Sequence, residues 1–152
     1  MMDIRIATKE DIDDLMCIRL EMLKVVNQLS EKDIFLEELV ENSRDYFLNG
    51  SQTTVLAYDN GKQIGCASIS YIRVMPTFSH PTGMRAHLMN VYTRKEYRRH
   101  GIARQMVSML MEESWERGVS EISLDTTAKG RKFYESLGFQ ASSECMVLTR
   151  KV

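Results

Sequence analysis

Apolar positions recur with two different periods along this chain. Ile4 and Ile6 alternate with polar neighbours, as in a short half-buried strand. From Ile12 the spacing changes. Ile12, Leu15, Met16, Ile18 and Leu23 share one face of a helix, and Thr8 followed by Asp11 makes a capping-box pattern at its start. Ser30 with Asp33 repeats that pattern and predicts a second helix carrying Phe35, Leu39, Val40 and Phe47, ending near Gly50. Residues 53–58 and 63–74 read as strands joined by Asn60-Gly61, a strong two-residue hairpin signal. Pro76 and Pro81 put a loop over residues 76–86. A strand follows at 87–93, then a helix at 102–117 stopped by Gly118. Residues 121–125 form a strand and 131–137 a short helix stopped by Gly138. Residues 139–141 and 145–149 would close the sheet as a final hairpin. This order, β-α-α-β-β-β-α-β-α-β-β, predicts an α/β domain: a mixed central sheet of about seven strands with helices on both faces.

Length and composition narrow the class. At 152 residues the chain fits one domain spanning 1–152. Apolar residues make up 43% and charged residues 27%, so the chain is of globular and not disordered type. No apolar run reaches the ~20 residues that a membrane span needs, and the N-terminus carries charge at once, so neither membrane insertion nor secretion is expected. Twenty basic residues against 21 acidic ones argue against nucleic-acid binding by bulk charge. Cys17, Cys66 and Cys145 lack any metal-ligand spacing, so no metal is expected. They read as reduced, buried thiols of a cytoplasmic protein. Met106 and Met109 sit at core spacing on the third long helix.

The most informative segment is 88–104, a strand, a basic turn with one glycine, and an amphipathic helix. A helix N-terminus offers unpaired backbone N–H groups and partial positive charge. Gly101 permits close backbone approach and Ala103 keeps the first turn small, while Arg98 and Arg99 add charge. That combination suits a phosphate or pyrophosphate, although a solvated basic turn would read the same way. It is neither a P-loop nor the three-glycine dinucleotide fingerprint.

Arg98, Arg99, His100, Gly101, Ile102 and Ala103 resemble the Q/R-x-x-G-x-G/A signature of the GNAT superfamily of N-acetyltransferases. Residues 127–139 are similar to a second family segment, N-x-x-A-x-x-x-Y-E-K-L-G-F. Tyr134, Glu135, Leu137, Gly138 and Phe139 match it, while Thr127 and Gly130 depart from it. The resemblance implies the acyl-CoA N-acyltransferase fold, acetyl-CoA as acyl donor, and direct attack by an amine in a ternary complex. It implies that residues 98–103 take the pyrophosphate, that Val91, Tyr92 and Thr93 take the pantetheine arm and acetyl group, that Thr127 makes a polar contact to that arm, and that Tyr134 protonates the departing thiolate. His87 falls where some members carry a carboxylate base, and an imidazole suits proton removal near neutral pH. A water chain to solvent would serve instead. The acceptor, a small-molecule or peptide amine, would contact regions near 21–33 and 71–86, and a last strand at 145–152 would serve either a homodimer or a monomer's closing edge. A non-catalytic acyl-CoA-binding module on the same scaffold is the rival implication.

Overall fold

The computed structural model describes residues 1–151. Strand β1 (Met2–Ile6) leads through a single 3-10 turn into helix α1 (Ile12–Val26). Helix α2 (Glu37–Asn49) follows, then strands β2 (Gln52–Asp59), β3 (Lys62–Arg73) and β4 (Met84–Thr93). Helix α3 (Ile102–Glu116), strand β5 (Glu121–Leu124) and helix α4 (Ala128–Ser136) complete the elements. The sheet order is β1-β2-β3-β4-β5, antiparallel throughout except for the parallel pair β4–β5. The expected mixed α/β architecture is therefore present. Asn60 and Gly61 both have positive φ, as the tight β2–β3 hairpin requires.

β2 is buried on both faces, which explains its near-continuous apolar run. Leu56 and Tyr58 meet Leu15, Ile18 and Met22 of α1, with Cys66 and Tyr92 from the neighbouring strands. Val55 and Ala57 face the other way, onto Met106, Val107 and Leu110 of α3. Ile18 is fully buried, and that burial is worth about 2–3 kcal/mol. Helix α2 joins the α1 side through Phe47, and α4 joins the α3 side through Phe133, Tyr134 and Leu137.

Four expectations differ from the structure. The described residues form five strands, not about seven, because residues 140–151 run exposed without pairing to the sheet. Met146, Val147 and Leu148 consequently lie in solvent. The Ser30–Asp33 pattern caps no helix. Asp33 accepts the Ser30 N–H at 2.6 Å inside a turn, and α2 begins at Glu37. β4 begins at Met84, so the proline loop is shorter than expected. Of the cysteines only Cys66 is buried, since Cys17 points outward from α1 and Cys145 lies on the exposed C-terminal segment.

Candidate active site

The β4–β5 ladder is short. It runs only from Arg85–Glu121 to Leu88–Leu124, after which the strands part. Just beyond, β4 carries an extra residue against β3: Cys66 pairs with Tyr92, but Ser68 pairs with Met89. This is a β-bulge at Asn90 and Val91. Past the bulge the Arg94 N–H donates to the Ile64 carbonyl at 2.9 Å, so strand alternation keeps Tyr92 and Arg94 bonded toward β3. The N–H and C=O groups of Val91 and Thr93 then face the free side of β4. Thr93 Oγ1, near Gly65 of β3, is buried without a hydrogen-bond partner among the described residues.

The basic turn closes the end of this free edge. Arg98 Nε donates to the Thr93 carbonyl at 2.8 Å, and the guanidinium lies over the Tyr92 ring. His100 Nδ1 is 3.1 Å from the Tyr97 carbonyl. Arg99 and Gly101 both have positive φ, 65° and 78°. Gly101 is the N-cap of α3, and a Cβ there would meet nothing within 4 Å. The first intrahelical bond runs from the Gln105 N–H to the Gly101 carbonyl, so the N–H groups of Ile102, Ala103 and Arg104 precede the ladder. No side chain caps them, and no acidic residue occupies the first turn. An exposed helix start with this donor set fits a polyanion such as a pyrophosphate.

Tyr134 packs edge-on between Phe133 and Phe139, half-buried on the α3 side of the sheet. Burial pushes its phenol pKa up, which holds the proton on oxygen. Among the described residues its hydroxyl has no hydrogen-bond partner, so the proton is available to a ligand. Thr127 is the N-cap of α4 and accepts the Gly130 N–H through its side chain. That bond gives Thr127 a structural occupation in the position expected to touch the donor's arm. A Cβ at Gly130 would lie 2.6 Å from Thr126 Oγ1, so that hydroxyl would have to turn away.

His87 lies on the opposite, α1–α2 side of the sheet. Its Nδ1 is 2.8 Å from Ser123 Oγ and its Nε2 is 3.6 Å from Asp125, so both ring nitrogens turn toward β5. On this side a cleft of about 480 Å³ opens between the sheet and α2. Leu36, Leu39, Tyr46, Phe47 and Met89 form its apolar walls, and Arg19, Ser68 and Asn90 lie at its base. The cleft is built from α2, Arg19 of α1 and the β3–β4 surface. Its acidic lining residue is Glu38 of α2. No group of three or more metal-ligating side chains assembles among the described residues.

Two further residues tie the site together. Glu21 of α1 accepts hydrogen bonds at 2.9 Å from Arg94 Nε, Arg94 Nη2 and the Tyr92 hydroxyl, which ties α1 to the end of β4. Burial first, then this carboxylate, pushes the Tyr92 phenol up to about 12. Asn90 has φ +57°, an uncommon conformation for a side-chain-bearing residue. Three contacts hold it: Arg19 Nη1 donates to its Oδ1 at 3.1 Å, its Nδ2 donates to Ser68 Oγ at 3.0 Å, and its carbonyl accepts the Cys66 thiol at 3.2 Å. Burial pushes that thiol up to about 12, so Cys66 acts as a packed donor and not a nucleophile.

The profile of the acetyltransferase (GNAT) family matches residues 20–139. A predicted acetyltransferase from Clostridium acetobutylicum, crystallised with acetyl-CoA, is 30% identical. It superimposes with a TM-score of 0.84 over 98% of this chain and 96% of that one. A GCN5-related N-acetyltransferase from Ralstonia eutropha JMP134, 22% identical, shares the fold at a TM-score of 0.79, covering 98% and 99% of the two chains. A glucosamine 6-phosphate N-acetyltransferase of Trypanosoma brucei brucei is 31% identical over 88 residues, which is 58% of each chain.

Proposed function

The chain belongs to the acetyltransferase (GNAT) family and is an acyltransferase, and from that premise we propose that it moves an acetyl group from acetyl-CoA to a primary amine by direct attack in a ternary complex. The observation that carries this reading is the free edge of β4 at Val91 and Thr93, joined through Arg98 to the uncapped start of α3. The pantetheine amides pair with that edge as an added strand. The Arg99–Gly101 turn and the first N–H groups of α3 hold the pyrophosphate.

The acceptor reaches the thioester from the cleft on the α1–α2 side. A new N–C bond forms as the C–S bond breaks, and the Val91 N–H stabilises the developing oxyanion. A donor so placed is worth about 3–4 kcal/mol in the transition state. Tyr134, kept protonated by burial, gives its proton to the departing sulfur. The acceptor's ammonium proton passes to water in the open cleft, because the nitrogens of His87 face Ser123 and Asp125. A His87→Gln variant accordingly keeps the wild-type pH–rate profile, and loss of an inflection near neutral pH would return His87 to the base role.

Isothermal titration with acetyl-CoA, with coenzyme A and ATP as controls, tests the donor assignment. Micromolar binding of acetyl-CoA with much weaker binding of ATP is expected. A folded protein that binds neither coenzyme would overturn it. Release of free thiol in the presence of an amine then separates an enzyme from a non-catalytic acyl-CoA-binding module.

A further inference from the structure

Arg19 is unusual among the arginines of this chain. The other partly buried ones, Arg5, Arg85 and Arg94, each pair with a carboxylate: Asp11, Glu121 and Glu21. The arginines without such a partner, apart from Arg19, are exposed to water. Arg19 is partly buried at the base of the cleft, and among the described residues no carboxylate pairs with it. Nη1 is used by Asn90 Oδ1 at 3.1 Å and lies 4.0 Å from the sulfur of Met22. Nε and Nη2 have no protein partner among the described residues. These two donors make the side-on fork that takes a carboxylate through two parallel hydrogen bonds. A desolvated guanidinium is costly without a counter-charge, and burial lowers the Arg19 pKa.

The rest of the cleft specifies what accompanies the anion. Its walls are apolar, and Leu36 and Leu39 at the α2 rim are exposed large hydrophobics. Asn90 anchors Arg19 beside the β4 bulge, where the acyl group is proposed to be held. An anion on Arg19 therefore lies only a few bonds from the attacking nitrogen. One guanidinium balances one negative charge, and Glu38 on the rim disfavours a second. That selects a carboxylate over a phosphate dianion.

We infer that the acceptor is a free amino acid with an apolar side chain, its carboxylate held by Arg19 and its side chain lying against α2. This rests on the acetyl-transfer reading above. The amino acid's ammonium loses a proton to solvent, the nitrogen attacks the acetyl carbon and gives its second proton to solvent as the tetrahedral adduct collapses, and the thiolate leaves and takes the Tyr134 proton. The products are an N-acetyl amino acid and coenzyme A, and solvent returns the proton to Tyr134.

The test measures thiol release from acetyl-CoA with L-phenylalanine, L-leucine and L-methionine, each beside its primary amide, and with O-phosphoethanolamine. Wild type is expected to use the acids with kcat/KM at least tenfold above the amides. In Arg19→Gln that ratio falls to about one, through a higher KM for the acids, while the Kd for acetyl-CoA is unchanged. Arg19→Lys, which keeps the charge and loses the fork, retains part of the preference. Equal use of acids and amides by wild type, preference for the phosphorylated amine, or no use of any acid by protein that binds acetyl-CoA would each overturn the inference. Calorimetry of the amino acids and amides without coenzyme reads Arg19 even if acetyl-CoA binding fails. Acids bound by wild type and not by Arg19→Gln support the anion site, and no discrimination overturns it.

Discussion

Replacing Glu21 by alanine removes three hydrogen bonds at once, and their geometry sets the size of the effect. Two join its carboxylate to Arg94 in a bidentate pair and one takes the Tyr92 hydroxyl, all at 2.9 Å. The Arg94 side chain is only 15% exposed and that of Glu21 32%, so water replaces the lost carboxylate incompletely. A fully exposed pair would contribute under about 1 kcal/mol, and breaking a fully buried one would cost about 3–5 kcal/mol. The intermediate burial here predicts a loss of about 2 kcal/mol. For a chain of this length that lowers Tm by about 4–8 °C. A double-mutant cycle with Arg94→Met should return a coupling of about 1–2 kcal/mol, because both changes remove the same pair. Acetyl-CoA affinity should also weaken, since the clamp fixes the strand end that carries Val91 and Thr93. Thermal unfolding and isothermal titration give both numbers. A Tm within about 1 °C of wild type, or strictly additive single changes, would refute the view that this carboxylate anchors α1 to the donor site.

Other expected outcomes follow from the same geometry. Gly101→Glu forces a side chain into the left-handed region, at roughly 1 kcal/mol, and sets a negative charge at the anion site; titration should show acetyl-CoA binding abolished while the fold survives, because a Cβ there meets no neighbour. Tyr134→Phe removes one proton donor and no packing, so kcat should fall about 10²-fold or more with Kd for acetyl-CoA nearly unchanged; unaltered kcat where chemistry limits the rate would remove it from the mechanism. Asp11 is held down to about 2, first by its hydrogen bonds from Arg5. A depressed carboxylate pKa stabilises the fold above the unfolded value near 3.8, and that contribution disappears as pH falls through about 2. Since the Arg5 side chain is 41% exposed, the contribution is discounted to about 1 kcal/mol. Asp11→Asn should therefore lose about that much at pH 7 and almost nothing at pH 2 in denaturant titrations.

Where side-chain pattern alone decides structure, the chain was readable. The strand segments of β2 and β3, the Asn60-Gly61 turn and the i, i+3, i+4 spacing of α1 and α3 all appear in place. The failures share a cause. Residues 145–149 carry a short apolar run like that of a strand, but a strand also needs a partner edge, and sequence does not show which edges are free. Ser30 and Asp33 satisfy each other within a turn, so the capping signal was spent before a helix began. Arg98–Ala103 and Tyr134 could be singled out because their motifs are local. The contacts of Arg19, Glu21 and Asn90 could not, because their partners lie about seventy residues away across the sheet.

The three cysteines bear on how turnover can be followed. Cys17 and Cys145 are open to solvent, whereas Cys66 is enclosed with its thiol pushed up to about 12. A chromogenic disulfide reagent added to count liberated coenzyme A would also titrate the protein, giving a background of two equivalents per chain that grows with enzyme concentration and not with acceptor. Cys17→Ser with Cys145→Ser would leave a signal owed to product alone. The enclosed third thiol would become a reporter of unfolding, coloured only once β3 and β4 have come apart.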